Sequence, residues 1–561
     1  MDTEKINAEV ISVFPNKVKI SVDNLEDFQL AEDKLKVGSY LRIADSDNAI
    51  LIAVIENFSI EVGVDRNGDP MRKYILEASP LGTICEGRFE RGGDSLAIPP
   101  KQVEPASSEE IAKIFSETIA DSEKFTFSTL ASDYQIPVPV NGNKFFNKHI
   151  AIVGSTGSGK SHTVAKILQN ATHAKNGEYE GLNNSHIVIF DIHSEYRAAF
   201  PDAHYIDISS LVLPYWMLSG EELVELFLNT ESSNDHNQRN TFKKAVIQSR
   251  RDHYTGDPAD KENIHFDSPL MFDIRDVLKE ANEVNTLVYD TGEVYASGVK
   301  KGQAKTTQGS LYGKLTNFID RLENRINDHR LNFLLGEASK NITFEQTLTQ
   351  LLGYGDNPSN VTILDLSGIP FEVLSITVSL ISRILFDYGY YYKRMRCIRN
   401  PDTPVNNDIP LLLVYEEAHK YVPNSDLSRY RASKQSIERI AKEGRKYGVT
   451  LLLSSQRPSE ISETIFSQCS NFLALRLTNP NDQHYVKRLL PDGEASLVEK
   501  LPSLRVGECL LVGDAVTIPS IVRVDPCDLK PASNDIPYFD LWQLPWKELD
   551  IDSIREEWFR K

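Results

Sequence analysis

The sequence predicts an α/β fold: a mostly parallel sheet flanked by helices, interrupted by a helical insertion and preceded by a small N-terminal β-barrel. Three observations carry this. From about residue 145, short apolar runs alternate with helix-like stretches. A glycine-rich loop, Gly154–Ser161, joins one such run to a helix. Residues 1–105 read instead as short alternating strands.

In the expected barrel, Val18, Ile20 and Val22 alternate with Lys17, Lys19 and Ser21, the period-two pattern of a half-buried strand. Further runs at Tyr40–Ile43, Ile50–Ile55 and Tyr74–Ala78 are separated by turn formers such as those from Asp65 to Pro70. A proline-rich joint from Ile98 to Pro105 leads into a predicted helix at Ser108–Ala120. The core is expected in two parts, 106–210 and 359–530. Its candidate strands are His149–Val153, His186–Phe190, Val361–Leu366, Ile409–Tyr415, Thr450–Ser454, Phe472–Leu477 and Glu508–Val512. The polar stretch 211–358 reads as the helical insertion, and 531–561 as a C-terminal strap. Leu374, Val378, Ile381, Leu385 and Tyr388 share one face at helical spacing, which predicts a helix with one buried stripe.

Composition narrows the class. The chain has 561 residues and a net charge of −19, which excludes a surface coated in basic patches and confines any nucleic-acid contact to a local strip or a channel. Five cysteines without CxxC spacing point to neither a zinc site nor a disulfide framework, and so to a reducing cytoplasm. No apolar run reaches the ~20 residues of a membrane helix, and no signal peptide is expected. The sequence reading is cytoplasmic, without a membrane partner.

Gly154-Ser155-Thr156-Gly157-Ser158-Gly159-Lys160-Ser161 fits GxxxxGK[ST], directly after Ala151-Ile152-Val153 and before a helix-like run. Glycines let the backbone curl so that its N–H groups face phosphates at a helix N-terminus. The candidate nucleotide-binding residues run from Gly154 through His162, with Lys160 on the β/γ-phosphates and the Ser161 hydroxyl on Mg²⁺. This motif in this setting predicts a RecA-like P-loop ATPase core that uses ATP and Mg²⁺.

Such an enzyme needs a carboxylate near the metal and another to activate water, at the end of a neighbouring strand. Leu411 to Tyr415, followed by Glu416-Glu417, supplies both: Glu416 for the metal, through water, and Glu417 for the attacking water. A third strand, from Thr450 to Ser455, ends in Gln456, placed to touch the γ-phosphate or its water. Between these strands Ser428–Gly448 is rich in arginine and lysine, usually a solvated helix face. In an oligomeric ATPase it also offers an arginine to a neighbour's γ-phosphate, with Arg445 the first choice and Arg439 the second. Asp191-Ile192-His193-Ser194-Glu195-Tyr196 follows the second strand and is expected to edge the pocket, His193 hydrogen bonding rather than ligating metal.

The order of barrel, P-loop, Asp191–Tyr196, Glu416-Glu417-Ala418-His419, Glu443-Gly444-Arg445-Lys446-Tyr447-Gly448 and Ser455-Gln456-Arg457-Pro458 resembles the HerA family of the HerA/FtsK superfamily. The resemblance implies a homo-hexameric ring ATPase that translocates double-stranded DNA through its pore. It also implies an N-terminal barrel that docks an effector protein, a NurA-like nuclease, a sirtuin-like NAD hydrolase or another nuclease, possible places being DNA end processing and antiviral defence. Glu416 departs from the aspartate that many motor ATPases carry there. An ATP-gated ring scaffold that activates an effector, and a conjugative-type pump ATPase, are the alternative readings. Two further segments each admit two readings: Gly298–Lys314, with Lys300, Lys301, Lys305 and Lys314, as a DNA-contacting loop or a mobile solvated one, and the tail with Trp542, Trp546 and Trp558 packed on its own domain or, as the resemblance implies, strapped onto the adjacent subunit.

Overall fold

The computed structural model describes residues 8–14, 17–22, 37–46, 49–64, 70–92, 102–228, 235–294, 302–403, 405–425, 431–489, 495–533 and 536–560. The chain divides into two compact units, Met1–Asn183 with Thr450–Asn534, and Asn184–Val449 with Asp535–Lys561.

The first unit opens with an antiparallel sheet of β1 (Ala8–Phe14), β2 (Lys17–Val22), β3 (Tyr40–Ser46), β4 (Ala49–Val64), β5 (Pro70–Cys85), β6 (Arg88–Arg91) and β7 (Val103–Pro105). Strand order is β1-β2-β5-β4-β3-β7, with β6 attached to β5. Strand alternation delivers Val10, Val18, Ile20, Val22, Leu41, Ile43, Leu51, Ile55 and Leu76 to one shared core. Irregularities at Ile52/Ala53 and Ile55/Asn57 bend the long β4–β5 hairpin. The two edges of the sheet come together at an isolated bridge between Glu9 and Gln102, one residue pair rather than a ladder, so the sheet is a partly closed half-barrel.

The remaining strands, in chain order, are β8 (Lys124–Leu130), β9 (Asp133–Asn141), β10 (His149–Val153), β11 (His186–Asp191), β12 (His204–Ile206), β13 (Val288–Val294), β14 (Ala304–Gln308), β15 (Val361–Asp365), β16 (Leu411–Tyr415), β17 (Val449–Ser455), β18 (Cys469–Ala474), β19 (Glu508–Gly513) and β20 (Ser520–Val524). In the first unit β10 lies between β17 and β18 and runs parallel to both. All five β10 residues are buried, as a strand covered on both faces requires. Beyond β18 the sheet turns antiparallel through β19, β20, β8 and β9. Each of the seven expected core strands has a counterpart, but Phe472–Leu477 is shifted to Cys469–Ala474, and Glu508–Gly513 runs against its neighbour instead of with it.

In the second unit β12, β15, β11 and β16 are parallel, with β11 between β15 and β16. Helix Phe371–Arg399 follows β15, and its first half, from Val373 to Phe386, is buried nearly all round rather than along one stripe. Three serines there are tolerated because each finds an acceptor or donor: Ser375 meets Ser433 Oγ at 3.0 Å, Ser379 donates to Glu222 at 2.6 Å, and Ser382 donates to the Val378 carbonyl at 2.6 Å.

Between Leu211 and Asn360 the unit is mostly helical, including Gly220–Phe227, Asp235–His253, Ile274–Thr286, Thr316–Ile326 and Phe344–Leu351. Arg250 is fully buried there. It donates to the carbonyls of Leu270, His265 and Trp216, each at 3.2 Å, and to that of Phe266. Its guanidinium sits 5.1 Å from the Phe272 ring centre, so one cation ties the loop around 265–272 to the helix. The segment that sequence reads as a lysine-rich loop is in part a hairpin, β13 with β14, exposed throughout except at the half-buried Lys305. Lys305 pairs with Glu293 at 3.0 Å, while Lys300 and Lys301 lie outside the described residues.

The C-terminal segment contributes helices Tyr538–Trp542 and Ile551–Arg560. Its large apolar side chains are exposed, Trp546 at 98% and Phe559 at 84%. Among the described residues no helix is long and apolar enough to cross a membrane.

Candidate ATP site

The loop after β10 is anchored from both sides by backbone. Gly154 N donates to Ser455 O at 3.2 Å, and Ser155 N donates to Arg476 O at 2.9 Å. Ser158 N then closes a turn onto Ser155 O at 3.1 Å. Three glycines are required here for different reasons. A Cβ at Gly154 would stand 2.5 Å from Ser158 Oγ, and Gly157 and Gly159 take φ of +70° and +101°. Only glycine adopts that left-handed backbone without strain.

Gly159 caps helix Lys160–His173 and supplies no side-chain acceptor for its first turn. The N–H groups of a helix start, with the positive end of its dipole, then face whatever the loop encloses. Lys160 and Ser161, on that turn, are both buried. The loop is backed by the turn before β19, where Gly507 N donates to Ser158 O at 3.1 Å. His162 takes part through its backbone, its carbonyl accepting from Cys527 Sγ at 3.1 Å. Gln456, at the end of β17, is brought to the loop directly: Thr156 Oγ1 donates to its Oε1 at 2.5 Å.

The acidic residues lie in the second unit, at the C-terminal ends of β11, β15 and β16. Glu416 and Glu417 follow β16 and are both buried. Glu416 N donates to Phe190 O at 3.2 Å, continuing the β11–β16 ladder by one step. Glu417 takes φ +49°, one of three non-glycine residues with positive φ among those described. Residues held in such sparsely populated backbone regions cluster at active sites, ligand clamps and switch regions. Its Oε2 lies 3.2 Å from His419 Nδ1, a pairing that the Glu-Glu-Ala-His string permits but does not announce.

No local sequence pattern announces what surrounds Glu416. Tyr196, fully buried, donates its hydroxyl to Glu416 Oε2 at 2.8 Å. Asp191 accepts from Tyr196 N at 3.0 Å and from His193 N at 3.1 Å, so the segment from Asp191 to Tyr196 wraps its own first carboxylate. Burial pushes the Asp191 carboxyl up, and burial followed by Glu416 pushes the Tyr196 hydroxyl well above its ordinary value. Asp365, at the end of β15, accepts from Ser194 Oγ at 2.7 Å and from Tyr205, whose ring carries Arg197 at 4.3 Å. The side chain of His193 is exposed.

The two arginines separate clearly. Arg439 is engaged within its own unit, 3.5 Å from Asp387 and 4.5 Å from the Phe386 ring centre. Arg445 is exposed in a tight turn beside buried Gly444, with no ion pair to a described residue.

A phosphate chain fits the loop: a glycine-rich curl, a helix start without side-chain caps, and a buried lysine. Among the described residues no cluster of three or more His, Cys, Asp or Glu side chains is arranged to hold a metal by itself. Ser161 suits Mg²⁺ that arrives with phosphates, since this ion keeps much of its water and takes few protein ligands.

The family model described as the central domain of helicase HerA matches residues 125–385. A probable helicase of Methanocaldococcus jannaschii is 24% identical, covering 94% of this chain and 94% of its own length. The DNA double-strand break repair helicase HerA of Sulfurisphaera tokodaii is 25% identical over 93% of this chain and 94% of its own. Residues 125–385 match the HerA central domain, and HerA and helicase relatives align over most of the chain. The chain is an ATPase, and the P-loop and the two acidic residues after β16 lie in the order that the sequence resemblance described. The solved bacterial conjugative coupling protein TrwB is a more distant likeness, 11% identical with a TM-score of 0.45 over 76% of this chain and 93% of that one.

Proposed function

We propose that this HerA-like ATPase is a ring-forming motor, a homo-hexamer, that moves double-stranded DNA and works with an effector protein docked on its N-terminal half-barrel. The observation that carries the reading is the uncapped helix start at Lys160 behind a glycine curl, in a chain whose HerA relatives are named as DNA repair helicases over nearly their full length. Lys160 neutralises the β/γ-phosphates, and Ser161 holds Mg²⁺. Glu416 orders a water on that ion. Glu417 takes the proton of the attacking water, its strained backbone aiming a carboxylate that is otherwise buried. Gln456 reads the γ-phosphate from the end of β17, and Arg445 of one subunit reaches the site of the next. The effector is of the nuclease or NAD-hydrolase class, and the setting is DNA end processing or antiviral defence.

Hydrolysis measured with and without linear double-stranded DNA tests this. DNA should stimulate the wild-type chain. Lys160→Ala should lose nucleotide binding, and Glu417→Gln should bind ATP but hydrolyse it on the order of 100-fold more slowly, since an amide cannot accept the proton. Hydrolysis indifferent to DNA would favour a nucleotide-gated scaffold over a motor, and near-normal turnover in Glu417→Gln would remove it from its role.

A further inference from the structure

Glu416 is a glutamate with one more rotatable bond than an aspartate, so it needs something to fix its carboxylate. The structure supplies it. The Tyr196 hydroxyl holds Oε2 at 2.8 Å, and both side chains are at least 99% buried. Tyr196 is itself set from its backbone, because its N–H is held by Asp191 Oδ2 at 3.0 Å. The turn between them includes Ser194 at φ +57°, a conformation a serine adopts only when the surroundings impose it. Phe190 and Tyr415 pair across the adjoining strands and their rings stack with centres 4.5 Å apart, so the two strand ends that carry Asp191 and Glu416 are registered to each other. A carboxylate ending one strand thus sets a hydroxyl that fixes a carboxylate ending the next.

A tyrosine that merely filled the core would not need its hydroxyl here. Nearby Tyr421 shows the contrast: it is equally buried, and its hydroxyl has no hydrogen-bond partner among the described residues.

We propose that Tyr196 is a positioning residue for Glu416, holding Oε2 and so fixing the orientation in which the carboxylate serves the water of the nucleotide's metal ion. The proposal rests on the ATP-site reading above. It explains how a longer acid serves there: the hydroxyl removes the freedom that the extra methylene adds.

A double-mutant cycle tests it, using full-length Tyr196→Phe, Glu416→Gln and the pair. Two quantities are read: the turnover number for ATP, and the Mg²⁺ concentration that half-maximally tightens binding of a fluorescent ATP analogue. The second is measured with Glu417→Gln present throughout, so that hydrolysis does not intervene. Tyr196→Phe should lower turnover about tenfold and raise the Mg²⁺ midpoint several-fold, as loss of a buried hydrogen bond to a charged group does. Added to Glu416→Gln, it should change either quantity by less than about twofold, because its effect passes through that carboxylate. Tyr415→Phe, which removes an equally buried hydroxyl bonded to Ser382 at 2.7 Å, controls for loss of packing and should leave the Mg²⁺ midpoint alone. An unchanged midpoint in Tyr196→Phe, or a full second loss on top of Glu416→Gln, overturns the proposal while ATP binding stands. A wild-type chain that binds no ATP with Mg²⁺ overturns the ATP-site reading and this proposal with it.

Discussion

Thr156 and Gln456 are 300 residues apart in sequence, yet the hydroxyl of one donates to the amide oxygen of the other at 2.5 Å. The contact ties the outermost curl of the phosphate loop to the end of β17, so a change at the phosphates reaches a sheet strand through one hydrogen bond. Gln456→Ala should therefore keep ATP affinity within about threefold while lowering turnover about tenfold or more, the pattern of a contact made chiefly in the transition state. Thr156→Val, which deletes only the donor, should reproduce part of the loss. ATP titration beside steady-state hydrolysis separates the two effects, and equal losses of affinity and turnover would assign Gln456 to ground-state binding instead.

Arg445 offers a second test, since it is exposed and has no ion pair among the described residues, while Arg439 is tied to Asp387 and Phe386. Arg445→Ala should bind ATP normally and lose on the order of 100- to 1,000-fold in hydrolysis, as loss of an arginine finger does. Mixed with Glu417→Gln subunits it should regain part of the activity, because some interfaces then hold an intact arginine beside an intact base. Arg439→Ala should instead reduce thermal stability more than turnover. No recovery in rings shown by mass to be mixed would move the role away from Arg445.

Much of the core was legible in sequence because a strand buried on both faces must be apolar throughout. His149–Val153 and Leu411–Tyr415 are such runs, and the phosphate loop between strand and helix can be written in few ways. Strand direction was not legible: Glu508–Gly513 has the same apolar character as the parallel strands but pairs antiparallel with β18. Asp133–Asn141 was missed because Pro137 and Pro139 argue against a strand. It forms as the edge of its sheet, the position where proline costs no ladder bond. The site divides in the same way. Lys160, Ser161, Glu416 and Glu417 stand in local motifs, whereas the Tyr196 hydroxyl meets Glu416 across 220 positions and no local pattern encodes that meeting.

Glu225 should give the chain a pH-dependent stability in its helical region. Burial pushes its carboxyl up to about 7, with the Ala432 backbone and Arg431 opposing and Glu222 and Glu221 adding to the rise. A carboxyl whose folded value is raised binds its proton more tightly folded than unfolded. Its contribution is thus complete below the unfolded value of 4.5 and is lost as pH rises through about 7. Glu225→Gln cannot ionise and escapes that loss. Melting curves from pH 5 to 8 should show the wild type falling relative to Glu225→Gln as pH rises, with most of the difference developed by about pH 8. Parallel curves would mean that Glu225 is hydrated enough to titrate normally.

The C-terminal segment leads to the last prediction. Sequence alone left open whether its aromatics pack on their own chain or on a neighbour. In this chain they are not covered: Trp542, Trp546, Trp558, Tyr538, Phe539 and Phe559 are all exposed, each at 60% or more. Scattered exposed apolar residues are ordinary, but six aromatics within 22 residues amount to an adhesive strip that a lone chain leaves in water. Pro537 and Pro545 keep the strip from forming one helix, and it is presented as two short helices joined by an irregular link. We take the surface that covers it to be a second copy of this chain, since the ring proposed above would have to hold its subunits through repeated rounds of hydrolysis and tryptophan anchors in desolvated pockets carry large shares of binding energy. Deleting 532–561 should then convert hexamers to smaller species at micromolar concentration and lower ATPase activity per chain at least about tenfold, because a trans arginine is lost along with the interface. The melting temperature of the remaining chain should move little, as the strip contributes few buried contacts of its own. Trp546→Ala, removing the most exposed anchor, should weaken assembly in the same direction without truncation. Light scattering together with hydrolysis rates decides it: intact, fully active hexamers after the deletion would place the strip on an effector or leave it without a structural role in the ring.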